Sequence, residues 1–330
     1  MALLLPLPAG LQGKLVCPQC REPFRQLGNC SQCGHPVAEL NGVLDFLGES
    51  RREAAATEVN DFYEVRPFPG YAAGDNAATL LDRCRSSPFM VALNEAIPAD
   101  ATIADCGCGT GQIPNYLALA GPRRHVVGVD ACRASLREAE GFRHKAAIDN
   151  LRFVRGDLFA MPYLEGAFDV VMSRGVVHHT PEPWKAIQSV AKVVKPGGFL
   201  VLSFYESAGR FWHRCRQFMQ RHGRSSWRRL DPILRRGDLD DEKKRTWIED
   251  QYHHPLEHCL PFPRVVKEVE ALGFDWVRSL PPATGLAGMF EPTPKPSSPA
   301  MALRRFGWTL AGLRDQDAGM ACLVARRQSG

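Results

Sequence analysis

The stretch Ala101-Thr-Ile-Ala-Asp105-Cys-Gly107-Cys-Gly109-Thr-Gly111-Gln112 constrains the fold more than any other part of the chain. Thr102, Ile103 and Ala104 read as a short buried strand ending at Asp105. Beyond the glycines, Ile113, Leu117 and Ala120 recur at helical spacing. A strand that turns through glycine into a helix presents free backbone N–H groups at its carboxyl edge, where open α/β sheets bind ligands. The glycine spacing then selects among ligands. A dinucleotide loop requires G-x-G-x-x-G/A, but Gln112 stands in the last position and the third glycine comes one residue early. A P-loop requires Gly-Lys-Ser/Thr, and no lysine follows Gly111. Asp105 at the strand end suits a cation better than a phosphate.

The residues that follow repeat the strand–helix unit. Arg124–Asp130, Leu151–Arg155, Phe168–Ser173 and Phe199–Tyr205 are apolar enough for buried parallel strands. Ser135–Ala147 and Pro183–Val194 read as helices, the second stopped at Lys195-Pro196-Gly197-Gly198. Asp130 closes its strand 19 residues beyond Gly111, near where this architecture sets an acid on a ribose hydroxyl pair. Val265, Val266, Val269 and Leu272 form a helical stripe before Gly273, and Phe274–Leu280 and Gly319–Arg326 read as the last strands. Pro281–Pro299, with six prolines, reads as a long loop.

Four stretches follow the glycine loop in order between residues 100 and 205: Gly156-Asp157-Leu158-Phe-Ala-Met-Pro162, Gly166-Ala-Phe168-Asp-Val-Val171, Gly175-Val-Val-His178-His179 and Lys195-Pro-Gly-Gly198. Together with Asp105-x-Gly-x-Gly-x-Gly111 they resemble the class I S-adenosylmethionine-dependent methyltransferases of the ubiquinone/menaquinone-biosynthesis type (methyltransferase-11-like). The resemblance implies a seven-stranded Rossmann-like α/β sheet, mostly parallel, with the last strand inserted antiparallel. It also implies S-adenosyl-L-methionine as cofactor. Asp105, Gly107, Gly109 and Gly111 would lie beside the methionine portion, Asp130 at the ribose, and Asp157 with Leu158 at the adenine edge. Ser173 and Arg174 would lie next to the cofactor and the incoming acceptor. His178 and His179 are the candidates for acceptor contact or general base, with a packed or backbone-bonded histidine as the plainer reading. Cys106, Cys108 and Cys132, near the loop, read as small buried fillers.

Upstream, Cys17-Pro-Gln-Cys20 and Cys30-Ser-Gln-Cys33 are two C-x-x-C hooks, the pattern of a four-thiolate structural Zn2+ site. His35 adjoins a complete set and is read as a spare. The tail from Pro36 to Leu47 resembles the end of small zinc-ribbon modules that precede several methyltransferases, of which some touch RNA and others brace the enzyme. Between this module and the glycine loop, Tyr63, Phe68 and Tyr71 read first as aromatics packing a linker onto the core, and second as a lid over the cofactor. Eleven cysteines, an opening without a basic segment and no run of roughly 20 apolar residues point to a reducing, cytoplasmic setting without a membrane span.

The division expected is a zinc-ribbon-like module at 1–50, a helical linker or lid at 51–97, a cofactor-binding core at 98–205, a basic helical cap at 206–260 and completion of the core at 261–330. The net charge of +5 is concentrated between Arg210 and Arg236, where nine arginines meet one acid, so electrostatic recognition is expected there. In the cap, Trp212, Cys215 and Met219 are expected to share a helix face, and the run Asp250–His258 to face the substrate. His254 and His258, with Pro255 between them, read as loop rather than a second metal site. Three functions stay open: methyl transfer to a small or lipid-like metabolite in a capped pocket; an RNA enzyme whose zinc module and Arg210–Arg236 grip phosphates while Trp227 stacks bases; and a catalytically silent zinc-ribbon scaffold. Acceptor atom and oligomeric state are not legible.

Overall fold

The computed structural model describes residues 13–24, 28–48, 57–65, 67–237, 239, 241–280, 288–314 and 319–329. The apolar opening of the chain and the first seven residues of the proline-rich stretch lie outside them. In chain order the elements are β1 (Ala38–Leu40), β2 (Val43–Asp45), α1 (Thr57–Val65), α2 (Ala77–Arg85), α3 (Pro88–Ala96), β3 (Thr102–Cys106), α4 (Gln112–Ala120), β4 (His125–Asp130), α5 (Arg133–Lys145), β5 (Leu151–Arg155), β6 (Phe168–Arg174), α6 (Pro183–Lys192) and β7 (Val194–Tyr205). There follow α7 (Phe211–Arg221), α8 (Trp227–Leu230), α9 (Asp241–Tyr252), α10 (Phe262–Ala271), β8 (Phe274–Leu280), α11 (Ser298–Ala311) and β9 (Met320–Arg327).

One sheet runs through all the described strands in the order β1-β2-β5-β4-β3-β6-β7-β9-β8. From β2 to β7 the pairs are parallel, and β9 enters antiparallel between β7 and β8. Strand order reverses between β3 and β6, so their carboxyl ends, Asp105 and Arg174, flank the crevice where such sheets take ligands. The central strands β3 to β7 are largely buried on both faces, while β1 at the edge is exposed. Ile187 and Val190 of α6, Val265 and Val269 of α10 and Trp308 of α11 pack one side; Leu80 of α2, Leu93 of α3, Leu117 of α4 and Phe142 of α5 pack the other.

Nine strands stand where seven were expected, because the cysteine module lends two to the sheet. Asn41 and Gly42 both have positive φ, 51° and 86°, the turn that lets two short strands pair as a hairpin. Its inner strand, β2, then lies parallel to β5 and covers what would be an open edge. Arg21 donates to the carbonyls of Met161 (2.6 Å) and Tyr163 (2.7 Å), and Val16 N–H to that of Pro162. Asp45 receives both Arg155 (3.0 Å) and Arg133 (3.1 Å). Burial is the largest influence on the Asp45 carboxyl and opposes its ionisation, but the Arg155 guanidinium together with the Gly48 and Leu47 N–H groups holds it below its ordinary range.

Three further expectations change. The proline-rich stretch ends at Ser297, whose hydroxyl caps α11; Pro299 falls in the first turn, where no N–H is needed, so proline there starts a helix. The inward residues of α7 are His213 and Arg216, not the expected apolar stripe, and they meet α9 through the Gln251 carbonyl and the Tyr252 hydroxyl. The basic block is partly internal. Arg210 is wholly buried against Glu257 and the Tyr205 ring, and Arg216 pairs with buried Asp231.

Removing Asp45 would strand Arg155 without its partner. Asp45→Ala is expected to cost about 3–5 kcal/mol in urea unfolding, and Asp45→Leu combined with Arg155→Met distinctly less.

Candidate cofactor and acceptor site

The glycine loop is shaped by bonds to the neighbouring strand. Gly107 and Cys108 N–H both donate to the Val129 carbonyl (2.7 and 3.0 Å), and Gly109 N–H donates to the Asp130 carboxylate (2.8 Å). The other Asp130 oxygen accepts from Cys132 N–H at 2.9 Å. The segment Phe68–Gly70 closes on the loop from outside: Thr110 N–H reaches the Phe68 carbonyl and the Gln112 amide that of Gly70. Gly109 has φ +53°, and a Cβ there would lie 2.7 Å from the Phe68 carbonyl oxygen. No side chain fits at that position.

A cavity of about 590 Å³ lies over this edge, within the range of small-ligand sites. Asp105, Gly107, Gly109, Asp130, Asp157, Leu158, Arg174 and His179 line it. Gly111 does not: it packs over Phe153 and Ala139. Neither does Ser173, whose hydroxyl donates to the Cys106 carbonyl (2.9 Å) and joins β3 to β6. His178 is wholly buried behind the cavity, its Nδ1 accepting from Tyr205 N–H at 3.3 Å.

Asp105 is 3% exposed, and no hydrogen bond or ion pair reaches its carboxylate among the described residues. Burial, then repulsion from Asp130, pushes its pKa up to about 7. Asp130 is also raised, by burial first, against the pull of the Cys132 and Gly109 N–H groups. Asp157 accepts from Phe159 N–H and so caps the turn Leu158–Ala160. An under-neutralised acid at the strand tip, a second acid with spare lone pairs, and a floor that tolerates no side chain fit a cationic nucleoside such as S-adenosylmethionine.

His179 Nδ1 lies 2.8 Å from the Leu256 carbonyl. A carbonyl only accepts, so Nδ1 carries the proton and Nε2 keeps its lone pair. Burial, then the neighbouring His254 imidazole, pulls the ring's pKa down to about 3, leaving it neutral. Tyr63 and Phe68 line the cavity wall, whereas Tyr71 stacks on Phe142 with centroids 4.3 Å apart. Of the run Asp250–His258, Asp250 and Gln251 reach the cavity. The sequence did not point to Arg83 of α2, Ser87 just before α3, Met90 of α3, or Tyr205 at the end of β7. For the first three the signal was the helical periodicity of residues 77–96, read as part of a linker or lid.

At the other end of the sheet, the Sγ atoms of Cys17, Cys20, Cys30 and Cys33 all lie within 4.8 Å of one another. Two pairs stand at 3.6 and 3.5 Å, close to the roughly 3.8 Å edge of a tetrahedron with zinc–sulfur bonds of about 2.3 Å. Among the described residues this is the only group of three or more side chains of metal-ligating type that lie this close together. His35 turns away to the Phe46 carbonyl at 2.8 Å.

Residues 104–202 match the family model described as a methyltransferase domain. Over 174 residues the chain is 30% identical to an uncharacterized methyltransferase of Mycolicibacterium gilvum, covering 53% of this chain and 61% of that one. Over 129 residues it is 30% identical to the 27-O-demethylrifamycin SV methyltransferase of Amycolatopsis mediterranei, covering 39% and 47%. The chain spans about half, or less, of the length of most of the curated relatives it matches. Its fold is shared with PKMT2 of Rickettsia typhi, with a TM-score of 0.50, 16% identity, and coverage of 74% of this chain and 52% of that one. The strand order and the acid-tipped glycine loop agree with that match, and residues 104–202 form a methyltransferase domain.

Proposed function

We propose that the chain transfers the methyl group of S-adenosylmethionine to a small or lipid-like metabolite held in the capped cavity. The observation that carries this reading is the Asp105 carboxylate, buried at the cavity floor with no partner among the described residues. When bound, the sulfonium supplies an electrophilic methyl group and leaves as a neutral thioether, so the protein's task is alignment. Asp105 would hold positive charge, Asp130 would accept from ribose hydroxyls while its N–H bonds keep it oriented, and Leu158 would cover the base. Tyr63, Tyr205 and Asp250 line the opposite wall and would enclose the acceptor. The lone pair of His179 Nε2 would accept a hydrogen bond from the acceptor's O–H or N–H. A ring this weakly basic orients its partner better than it removes a proton.

Trp227 argues against the RNA reading. It is 5% exposed and lies against Tyr252, with centroids 4.2 Å apart, so it offers no face to a base. With labelled cofactor and a whole-cell extract, label is expected in the small-molecule or solvent-extractable fraction; label confined to precipitable RNA would overturn the acceptor class.

If the ionised Asp105 binds the cofactor, affinity should weaken about tenfold per pH unit below about pH 7, as the raised pKa is crossed from above. Calorimetry should show that slope in the parent and a weaker, flat profile in Asp105→Asn. The same variant should melt higher above about pH 7, because it removes a buried charge. A flat parent profile would sink the assignment.

We further infer that Cys17, Cys20, Cys30 and Cys33 hold a structural zinc ion. Protein purified without chelator should carry stoichiometric zinc, and Cys30→Ser should lose it. Because this module is joined to β5 and to the 161–163 carbonyls, metal loss should also lower the melting temperature of the whole protein.

A further inference from the structure

The outward face of α11 is apolar along most of its length. Leu303, Phe306, Leu310 and Leu313 follow one another at helical spacing on one side and are 71%, 60%, 52% and 48% exposed. Ala302, Gly307 and Ala311 lie exposed among them, while Met301, Trp308 and Gly312 face the protein. Isolated surface leucines need no explanation, but a contiguous stripe on one helix marks a docking surface.

The end of α11 abuts the start of the cap. The Thr309 hydroxyl donates to the Ala208 carbonyl (3.2 Å), and Gly312 lies against that of Gly209, two residues before α7 begins. On α7, Phe211 and Phe218, two turns apart, are 47% and 62% exposed, and Leu230 at the end of α8 is 52% exposed. Around them Arg214, Arg221, Arg224, Arg228, Arg229 and Arg235 are exposed, and none forms an ion pair among the described residues. The one acid between Arg210 and Arg236, Asp231, is wholly buried. The exposed charge of this block is therefore entirely positive.

We propose that this face docks on an anionic membrane surface, its phenylalanine and leucine side chains entering the headgroup boundary while the arginines meet lipid phosphates. Apolar groups beside unneutralised arginines are what an interfacial surface of this kind requires. A second copy would press two arginine fields together, and RNA would satisfy the arginines but leave the leucine stripe in water. No helix among the described residues is long and apolar enough to cross a membrane, so this contact lies on the surface. The face adjoins the cavity. Gly319 packs against Gly209 and Arg210 at the foot of α7, and its neighbour Met320 lines the cavity wall. Docking needs neither cofactor nor turnover, so it stands or falls separately from the methyl-transfer reading.

The test is flotation of the full-length protein with vesicles of phosphatidylcholine, with and without phosphatidylglycerol. The parent should float with the anionic vesicles and lose most of that binding at high salt. Phe306→Asp with Leu310→Asp, and separately Arg221→Glu with Arg224→Glu, should each weaken partitioning at least about tenfold. Both pairs are exposed and distant from the cofactor loop, so melting temperature and cofactor affinity should match the parent. Two results would each overturn the proposal: no flotation of the parent, with a dimer or RNA complex that those variants abolish then naming the true occupant; or flotation unchanged in both double variants.

Discussion

The hydrogen bond from Gly109 N–H to the Asp130 carboxylate ties the tip of β3 to the tip of β4, and the ligand-bearing edge takes its shape from that tie. With Gly107 and Cys108 both donating to Val129, the loop after β3 is held by its neighbour strand and not by its own helix. The same carboxylate accepts from Cys132 at the head of α5. One acid therefore positions two elements, and its remaining lone pairs face the cavity. The Phe68–Gly70 segment depends on the same arrangement, since the Phe68 carbonyl sits where a side chain at residue 109 would be.

Asp105 shows the cost of such a site. A carboxylate kept dry and near a second acid is held against its own solvation, and its raised pKa measures that tension. Only the Arg174 guanidinium pulls the other way, and it does not offset burial: Cys106 beside the acid is buried, and Ser173 gives its hydroxyl to a backbone carbonyl. The contrast with Asp45 is instructive. That acid is as deeply buried, but it meets two guanidinium groups and its pKa falls. One buried carboxylate is braced by its partners, while the other is left open to the cavity.

The core from residue 101 to 205 was legible because each strand end carries chemistry that a sequence shows directly: a glycine run, an acid after an apolar run, a proline-glycine stop. The nine-stranded sheet was not, although Asn41-Gly42 between short apolar runs is a hairpin signal; its attachment to β5 depends on pairing across the chain. His178 and His179 were indistinguishable in sequence, and only the bend at residues 177–179 turns one ring to the cavity and the other behind Tyr205. The arginine block misled for a similar reason. A charge count cannot tell Arg210, enclosed by Glu257 and Tyr205, from Arg221 in water. Proline-rich residues before α11 masked a helix because proline is a breaker inside a helix yet a good starter of one.

The edge hairpin also bears on the order in which the molecule assembles. Asp45 and its partner Arg155 are 110 residues apart, and β2 has no other parallel neighbour to pair with. The hairpin is synthesised before β5 and must therefore wait for it before gaining a place in the sheet. A metal-bound cysteine knot can hold that segment compact through the delay, whereas an unliganded one would spend it as a loose chain with two exposed hooks.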